Sequence, residues 1–266
     1  MIDRSLTRLR KAERQARITA ELRASPSLRV NELAALLAVS TETVRRDLTE
    51  LGKVGLINRT YGGAIRPVAF EPSVAVREGL MITEREQIAD AAAKLVEPND
   101  ILMIGGGATT LHFARRLAVL VDYLTVITHG FSVATALATN GTIKVQMLPG
   151  QFDGREGLIH GPDTIDALQR FRANKVFLGA SGLTSEGPND AGLGPGMTYG
   201  AMIKRSAHVY ILADHTKFET PSLTVYGSWT PETTLITDRA PSDDLAAAIL
   251  RAGSKVIVAG AGKAKR

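Results

Sequence analysis

The stretch ILMIGGGATTLHFA, residues 101–114, packs an apolar run, three glycines, two threonines and a helix-compatible tail into fourteen positions. It reads as a strand, a tight loop and the start of a helix. Working outward, short β-rich runs recur with helical stretches between them. They are LTVIT (124–128), KVQML (144–148), KVFLGA (175–180), VYILAD (209–214), TLITD (234–238) and KVIVA (255–259). Strands alternating with helices at this spacing predict a largely parallel sheet, a Rossmann-like α/β domain spanning residues 83–266. A helix is expected at about 83–96, and residues 68–82 read as a linker, since EPSVAVR (71–77) has no period. The Gly- and Pro-rich SEGPNDAGLGPGMTYG (185–200) reads as a long functional or mobile loop.

If this loop holds a ligand, its residues limit which. A dinucleotide fingerprint needs a third glycine where Thr110 stands, and a carboxylate near the end of the next strand, where the chain reads Thr128-His129. A phosphate loop of the Gly-Lys-Ser/Thr kind is also missing. What remains is a row of backbone amides from Gly105, Gly106, Gly107 and Ala108 with the hydroxyls of Thr109 and Thr110, opening a helix. That suits a phosphate monoester, the other reading being a plain strand-to-helix turn.

Residues 1–67 are different. They hold 13 Lys/Arg against 7 Asp/Glu, while residues 68–266 hold 19 against 20, so the chain's net charge of +5 comes from its first quarter. A basic module on a near-neutral body points to a polyanion partner, or to a solvated basic surface. Val30, Leu33, Ala34 and Leu37 mark one helix face, and Val44, Leu48 and Leu51 a second, with a turn at Ala38-Val39-Ser40 where Ser40 is a natural N-cap. A helix-like segment from about Leu6 to Leu22 precedes them, and a hairpin around Gly62-Gly63 follows. Thr41, Thr43, Arg45 and Arg46 then fall on the outer side of the second helix, where a recognition helix meets the major groove. Arg59 falls on the wing.

The 266 residues contain no cysteine and no run of eighteen apolar residues, and arginines and lysines crowd the N-terminus where a signal peptide needs an apolar segment. A cytoplasmic chain without disulfides or a membrane span is expected. Its five histidines, His112, His129, His160, His208 and His215, show no metal spacing, so neither metal nor cofactor is expected.

The run VNELAALLAVSTETVRRDLTELGKVGLINRTYGGAI closely resembles the N-terminal winged helix-turn-helix of the DeoR family of bacterial transcription regulators. Gly52 stands where that family usually has an acid, and Tyr61 where it usually has histidine. The resemblance covers essentially the whole chain. It implies a sensor domain related in fold to ribose-5-phosphate isomerase, binding phosphorylated sugars or similar metabolites, and a repressor that acts on double-stranded operator DNA as a homodimer or homotetramer.

The matching sensor segments are Gly106–Thr110, Thr128-His129, Pro149-Gly150, FLGASGL (177–183) and LADHTKF (212–218). They carry the candidate ligand residues His129, Gly150, Ser181, Asp214 and Lys217: Lys217 for a phosphate or a sugar hydroxyl, Asp214 for sugar hydroxyls. His129 either faces the ligand or is a strand-end histidine satisfied inside the protein. Three departures fall here: Gly105–Gly107 for the usual Asp-Ser-Gly, His129 for Asn, and Pro149-Gly150 for Gly-Gly. Because GASGL (179–183) contains no carboxylate to act as a base, binding without turnover is the simpler expectation; the rival is a sugar-phosphate isomerase with a basic extension.

Overall fold

The computed structural model describes residues 10–24, 27–53, 57–60, 63–65, 71–241 and 243–260. The chain divides into two compact units, Met1–Pro72 and Ser73–Arg266.

In the smaller unit the helices Lys11–Ala24, Val30–Leu37 and Thr41–Lys53 enclose Ile18, Leu22, Leu33, Leu37, Val44, Leu48, Leu51 and Ile57. Each of these is almost fully buried, and each such aliphatic side chain stabilises the fold by about 1.5–3 kcal/mol. The turn between the last two helices passes through Ala38 at φ 52°, a left-handed cap that turns the chain sharply. Strands Asn58–Thr60 and Gly63–Ile65 pair antiparallel as the expected wing, and Ser27–Arg29 adds a third strand that the sequence reading lacked. Gly63 makes this possible, since a Cβ there would stand 2.1 Å from the Leu28 carbonyl oxygen. The turn at Gly62 and the expected helical residues 6–9 lie outside the described residues.

The larger unit is built on a seven-stranded, all-parallel sheet. In chain order its strands are β1 (Ile101–Ile104), β2 (Thr125–Thr128), β3 (Lys144–Met147), β4 (Ala173–Gly179), β5 (Ser206–Leu212), β6 (Thr233–Thr237) and β7 (Lys255–Val258). All seven apolar runs of the sequence therefore became strands of one sheet. Alternation along them feeds two cores: Leu102, Ile104 and Phe177 face one layer with Phe113 and Leu117, while Met103, Val176 and Leu178 face the other with Met202 and Ile249. Spatially the order is 3-2-1-4-5-6-7, so the connections run one way from β1 and the other way from β4. In such sheets ligands settle in the crevice outside the carboxyl ends of the strands, where the order reverses.

Two stretches differ from expectation. Residues 74–82, read as the end of a linker, hold the helix Val74–Glu78, whose Val74 amide and Arg77 side chain bond to Arg155 and Glu156. The stretch 185–200, read as a loop, contains the strand Gly187–Asp190 and the start of the helix Leu193–Lys204. Its glycines hid that helix: Gly196 packs so closely on Thr224 that a Cβ would come within 2.7 Å of the threonine side chain.

Candidate functional site

In the smaller unit, Ser40 Oγ accepts the Thr43 amide at 3.2 Å and closes the first turn of the helix Thr41–Lys53. Thr41, Arg45 and Arg46 are exposed and Thr43 is half-buried. Arg46 meets Glu42 one turn earlier at 3.4 Å, a solvent-exposed pair of little energetic weight that holds the guanidinium near the helix start. Of Arg59 only the backbone is described, in register with Ala64.

The opposite side of the helix carries a residue that the sequence reading passed over. Asp47 is buried and receives Arg14 Nε at 2.5 Å and Nη2 at 3.0 Å. This two-pronged bond raises the Arg14 pKa above its ordinary value, against the cost of burial. It ties the helix Thr41–Lys53 to the helix Lys11–Ala24. Lys11 and Gln15 reach Glu50 one turn further along. A signal was present: Asp47 stands between Val44 and Leu48 on the inward face.

In the larger unit, the candidate ligand residues Gly105–Thr110, His129, Gly150, Ser181, Asp214 and Lys217 all follow the carboxyl ends of β1 to β5. The loop after β1 is held from three sides. The Gly105 amide donates to Phe177 O at 2.9 Å, the Gly106 amide donates to His129 Nε2 at 3.0 Å, and Tyr199 OH donates to Gly106 O at 2.6 Å. A Cβ on Gly105 would lie 2.7 Å from the Tyr199 ring, and one on Gly106 would lie 3.2 Å from Leu158. These two glycines thus exist for close packing, and their amides are spent inside the protein rather than on a ligand, contrary to expectation.

The amides that remain belong to Gly107, Ala108, Thr109 and Thr110, which take no partner among the described residues. Gly107 caps the helix Ala108–Leu120 at φ 131°, a conformation that favours glycine. Thr110 also departs from expectation: it is fully buried and its hydroxyl donates to Gly107 O at 3.1 Å, closing the turn. Thr109, half-exposed, is the hydroxyl left beside the open amides.

His129 is the satisfied strand-end histidine. Fully buried, it accepts from Gly106 at Nε2, so Nδ1 carries the proton and donates to Ile159 O at 2.7 Å. Burial holds its pKa down at about 4, outweighing the bond to Ile159, so the ring is neutral and acts as a strap. Asp214 is another correction. It is fully buried, its Oδ1 accepts the Thr216 amide at 3.1 Å and the Thr216 hydroxyl, and its Oδ2 faces Arg85 Nη2 at 3.6 Å. Its Oδ1 is thus taken up within the protein, while Oδ2, buried and without a hydrogen-bond donor among the described residues, has the Arg85 guanidinium beside it. Its effect is to fix the short helical turn His215–Lys217, which places Lys217 half-buried beyond β5.

Ser181 is mostly buried; its Oγ accepts the Ala191 amide at 3.1 Å and lies 3.5 Å from Asp190 Oδ2, bracing the start of the helix Leu193–Lys204. Gly150 is exposed at φ 140°, and a Cβ there would come 2.3 Å from Thr164 Oγ1. Tyr199, Tyr226 and Arg85 went unremarked in the sequence. Tyr226 OH donates to Gly179 O at 2.6 Å, so two tyrosines in edge-to-face contact, 5.1 Å apart, fix the strand ends on both sides of the crevice.

Among the described residues no cluster of three or more metal-ligating side chains occurs, and no helix is long and apolar enough to cross a membrane.

Comparison with known proteins bears on both units. Residues 14–68 match the DeoR-like helix-turn-helix domain, and residues 81–239 match the DeoR C-terminal sensor domain. The HTH-type transcriptional repressor GlcR of Bacillus subtilis is 29% identical over 248 residues, 92% of this chain and 95% of the relative. The glycerol-3-phosphate regulon repressor of Escherichia coli is 31% identical over 212 residues, 79% of this chain and 84% of the relative. Among solved structures, ribose 5-phosphate isomerase A of Methanocaldococcus jannaschii aligns with TM-score 0.37 at 17% identity, covering 50% of this chain and 53% of the other. Likeness this distant says nothing of chemistry.

Proposed function

The chain belongs to the DeoR family of transcription regulators, and from that premise we propose how its two units divide the work. The protein is a DNA-binding repressor whose hold on its operator is set by a small molecule in the C-terminal domain. Arg45 and Arg46 read base edges in the major groove, Ser40, Thr41 and Thr43 meet phosphates at the helix start, and Arg59 follows the backbone from the wing. The molecule acts in the cytoplasm as a homodimer or homotetramer, placing paired helices on half-sites about 34 Å apart.

The effector is a phosphorylated sugar or a related metabolite. One observation carries this: four consecutive amides, Gly107 to Thr110, have no partner among the described residues at the start of a 13-residue helix beside the reversal in strand order. Unpaired donors and the helix dipole favour an anion there. Lys217 stands beyond β5, two strands from β1 and so roughly 10 Å away, about the length of a sugar phosphate. The protein is not an enzyme on this reading. Asp190 Oδ1 accepts the Gly192 amide at 2.8 Å, and Asp214 is fully buried beside the Arg85 guanidinium, which suits neither to proton transfer with a ligand.

The test is thermal shift with phosphorylated sugars and their unphosphorylated parents. A ligand at 100 times its dissociation constant adds roughly 2.7 kcal/mol of stability. Thr109→Val should weaken the phosphorylated ligand by about 1.5–3 kcal/mol and leave DNA affinity without effector unchanged. Equal binding of a sugar with and without its phosphate removes the anion reading.

A further inference from the structure

Between residues 151 and 160 a hairpin pairs Gln151–Asp153 with Leu158–His160, and it is bonded at both ends to parts of the larger unit that have different tasks. One end grips the glycine loop. Ile159 O accepts His129 Nδ1, whose Nε2 holds the Gly106 amide; Ile159 N donates to His129 O at 2.8 Å; Leu158 packs on Gly106. The hairpin's turn grips the helix Val74–Glu78, the first element after the residues that join the two units. Arg155 O accepts the Val74 amide at 3.4 Å, and Glu156 is ion-paired with Arg77, both side chains largely buried. The turn is stiff, because Asp153 accepts the amides of Arg155, Glu156 and Gly157.

A second route meets the first. Asp214, which fixes the Lys217 turn on the other flank of the crevice, faces the buried Arg85, and Arg85 Nη1 donates to the Arg77 carbonyl. Both flanks of the crevice therefore end at one residue, Arg77, through its guanidinium on one side and its carbonyl on the other.

We propose that this hairpin, closing on Arg77, is the connection by which an anion on the glycine loop changes the helix that leads to the DNA-binding unit. The inference rests on the anion reading above. A ligand shifts such an equilibrium only by binding one arrangement better, and here the arrangements differ in whether the Arg77–Glu156 tether is held. Arg77 and Glu156 are positioning residues, since neither touches the ligand.

The experiment is hydrogen exchange on the full chain with and without excess inorganic phosphate. In the wild type, phosphate should slow exchange in peptides covering 105–111, and also in those covering 74–80, by roughly fivefold or more, the lower end of ordinary allosteric coupling. Glu156→Gln should keep the first response and lose the second, and Arg77→Gln, which cuts the pair from the other side, should do the same. Retention of the 74–80 response in both variants, or a wild type that responds only at 105–111, overturns the relay. If phosphate leaves 105–111 unchanged, the anion reading fails and the relay is judged without ligand. Gly106→Ala, pressing on Leu158, must then speed exchange at 74–80; exchange equal to wild type there overturns the relay by itself.

Discussion

The helices Thr41–Lys53 and Ala108–Leu120 open in opposite ways. The first is closed by a side chain: Ser40 takes the Thr43 amide, and what faces outward is a row of replaceable side chains. The second is capped by a glycine with no side chain, so what it presents is backbone. Each is braced from behind, the first by the charged Arg14–Asp47 pair and the second by neutral His129 under its loop. The contrast matches the tasks proposed for them. Base sequence is read by side chains that differ between regulators, whereas an anion is held well by amides that every sequence possesses.

The largest effect should come from the charged brace. Asp47→Ala leaves Arg14 buried without its carboxylate and should cost the smaller unit about 3–5 kcal/mol, with operator binding lost as that unit unfolds. Circular dichroism melts of the full chain should show an early transition for the helical unit. An unchanged melt would mean that the pair contributes no more than a surface one.

The neutral brace should announce itself through pH. With the native pKa of His129 near 4 and the unfolded value near 6.5, the unfolded chain binds the extra proton between those values. Stability is thus complete above about pH 6.5 and falls by roughly 3 kcal/mol as pH drops toward 4. Half-buried His112, whose pKa is also lowered by burial, acts in the same direction. Melting temperature against pH should flatten in His129→Asn, and an equally steep profile would show that the strap is not neutral in the native state.

Arg45→Ala and Arg46→Ala should each weaken operator binding by about 1–3 kcal/mol while leaving effector binding intact, read by fluorescence anisotropy on operator DNA. Normal affinity in both would move recognition away from this helix face. Ser40→Ala, the smallest change, should cost about 1 kcal/mol of stability by opening the cap. If Ser40 also touches a phosphate, DNA affinity should fall by more than the stability loss accounts for.

Local pattern along this chain is legible in its sequence, and distant pairing is not. The apolar runs became strands because the central strands are covered on both faces and so are apolar along much of their length, while the edge strands Lys144–Met147 and Lys255–Val258 are only partly covered. The paired helices and the wing were legible from spacing. What stayed hidden needed partners far along the chain. Asp47 and Arg85 each sit on the inward face of a helix, at the same spacing as their apolar neighbours, and nothing nearby reveals that Arg14 and Asp214 receive them. For the same reason the first two glycines of GGGATT looked like ligand contacts, when their amides go to Phe177 and His129. The helix Leu193–Lys204 was masked by glycines whose purpose is close packing.

The left-handed glycine at position 107 has a bearing on descent. If the amides from 107 to 110 hold an anion as proposed, that grip survives almost any drift in the side chains around it, provided that one position stays glycine. Lineages that keep this corner can exchange one phosphorylated metabolite for another by changing residues at the rim of the crevice, as a lock keeps its bolt while its wards are recut. Novelty in what such a protein senses should therefore accumulate around Gly107 and not at it.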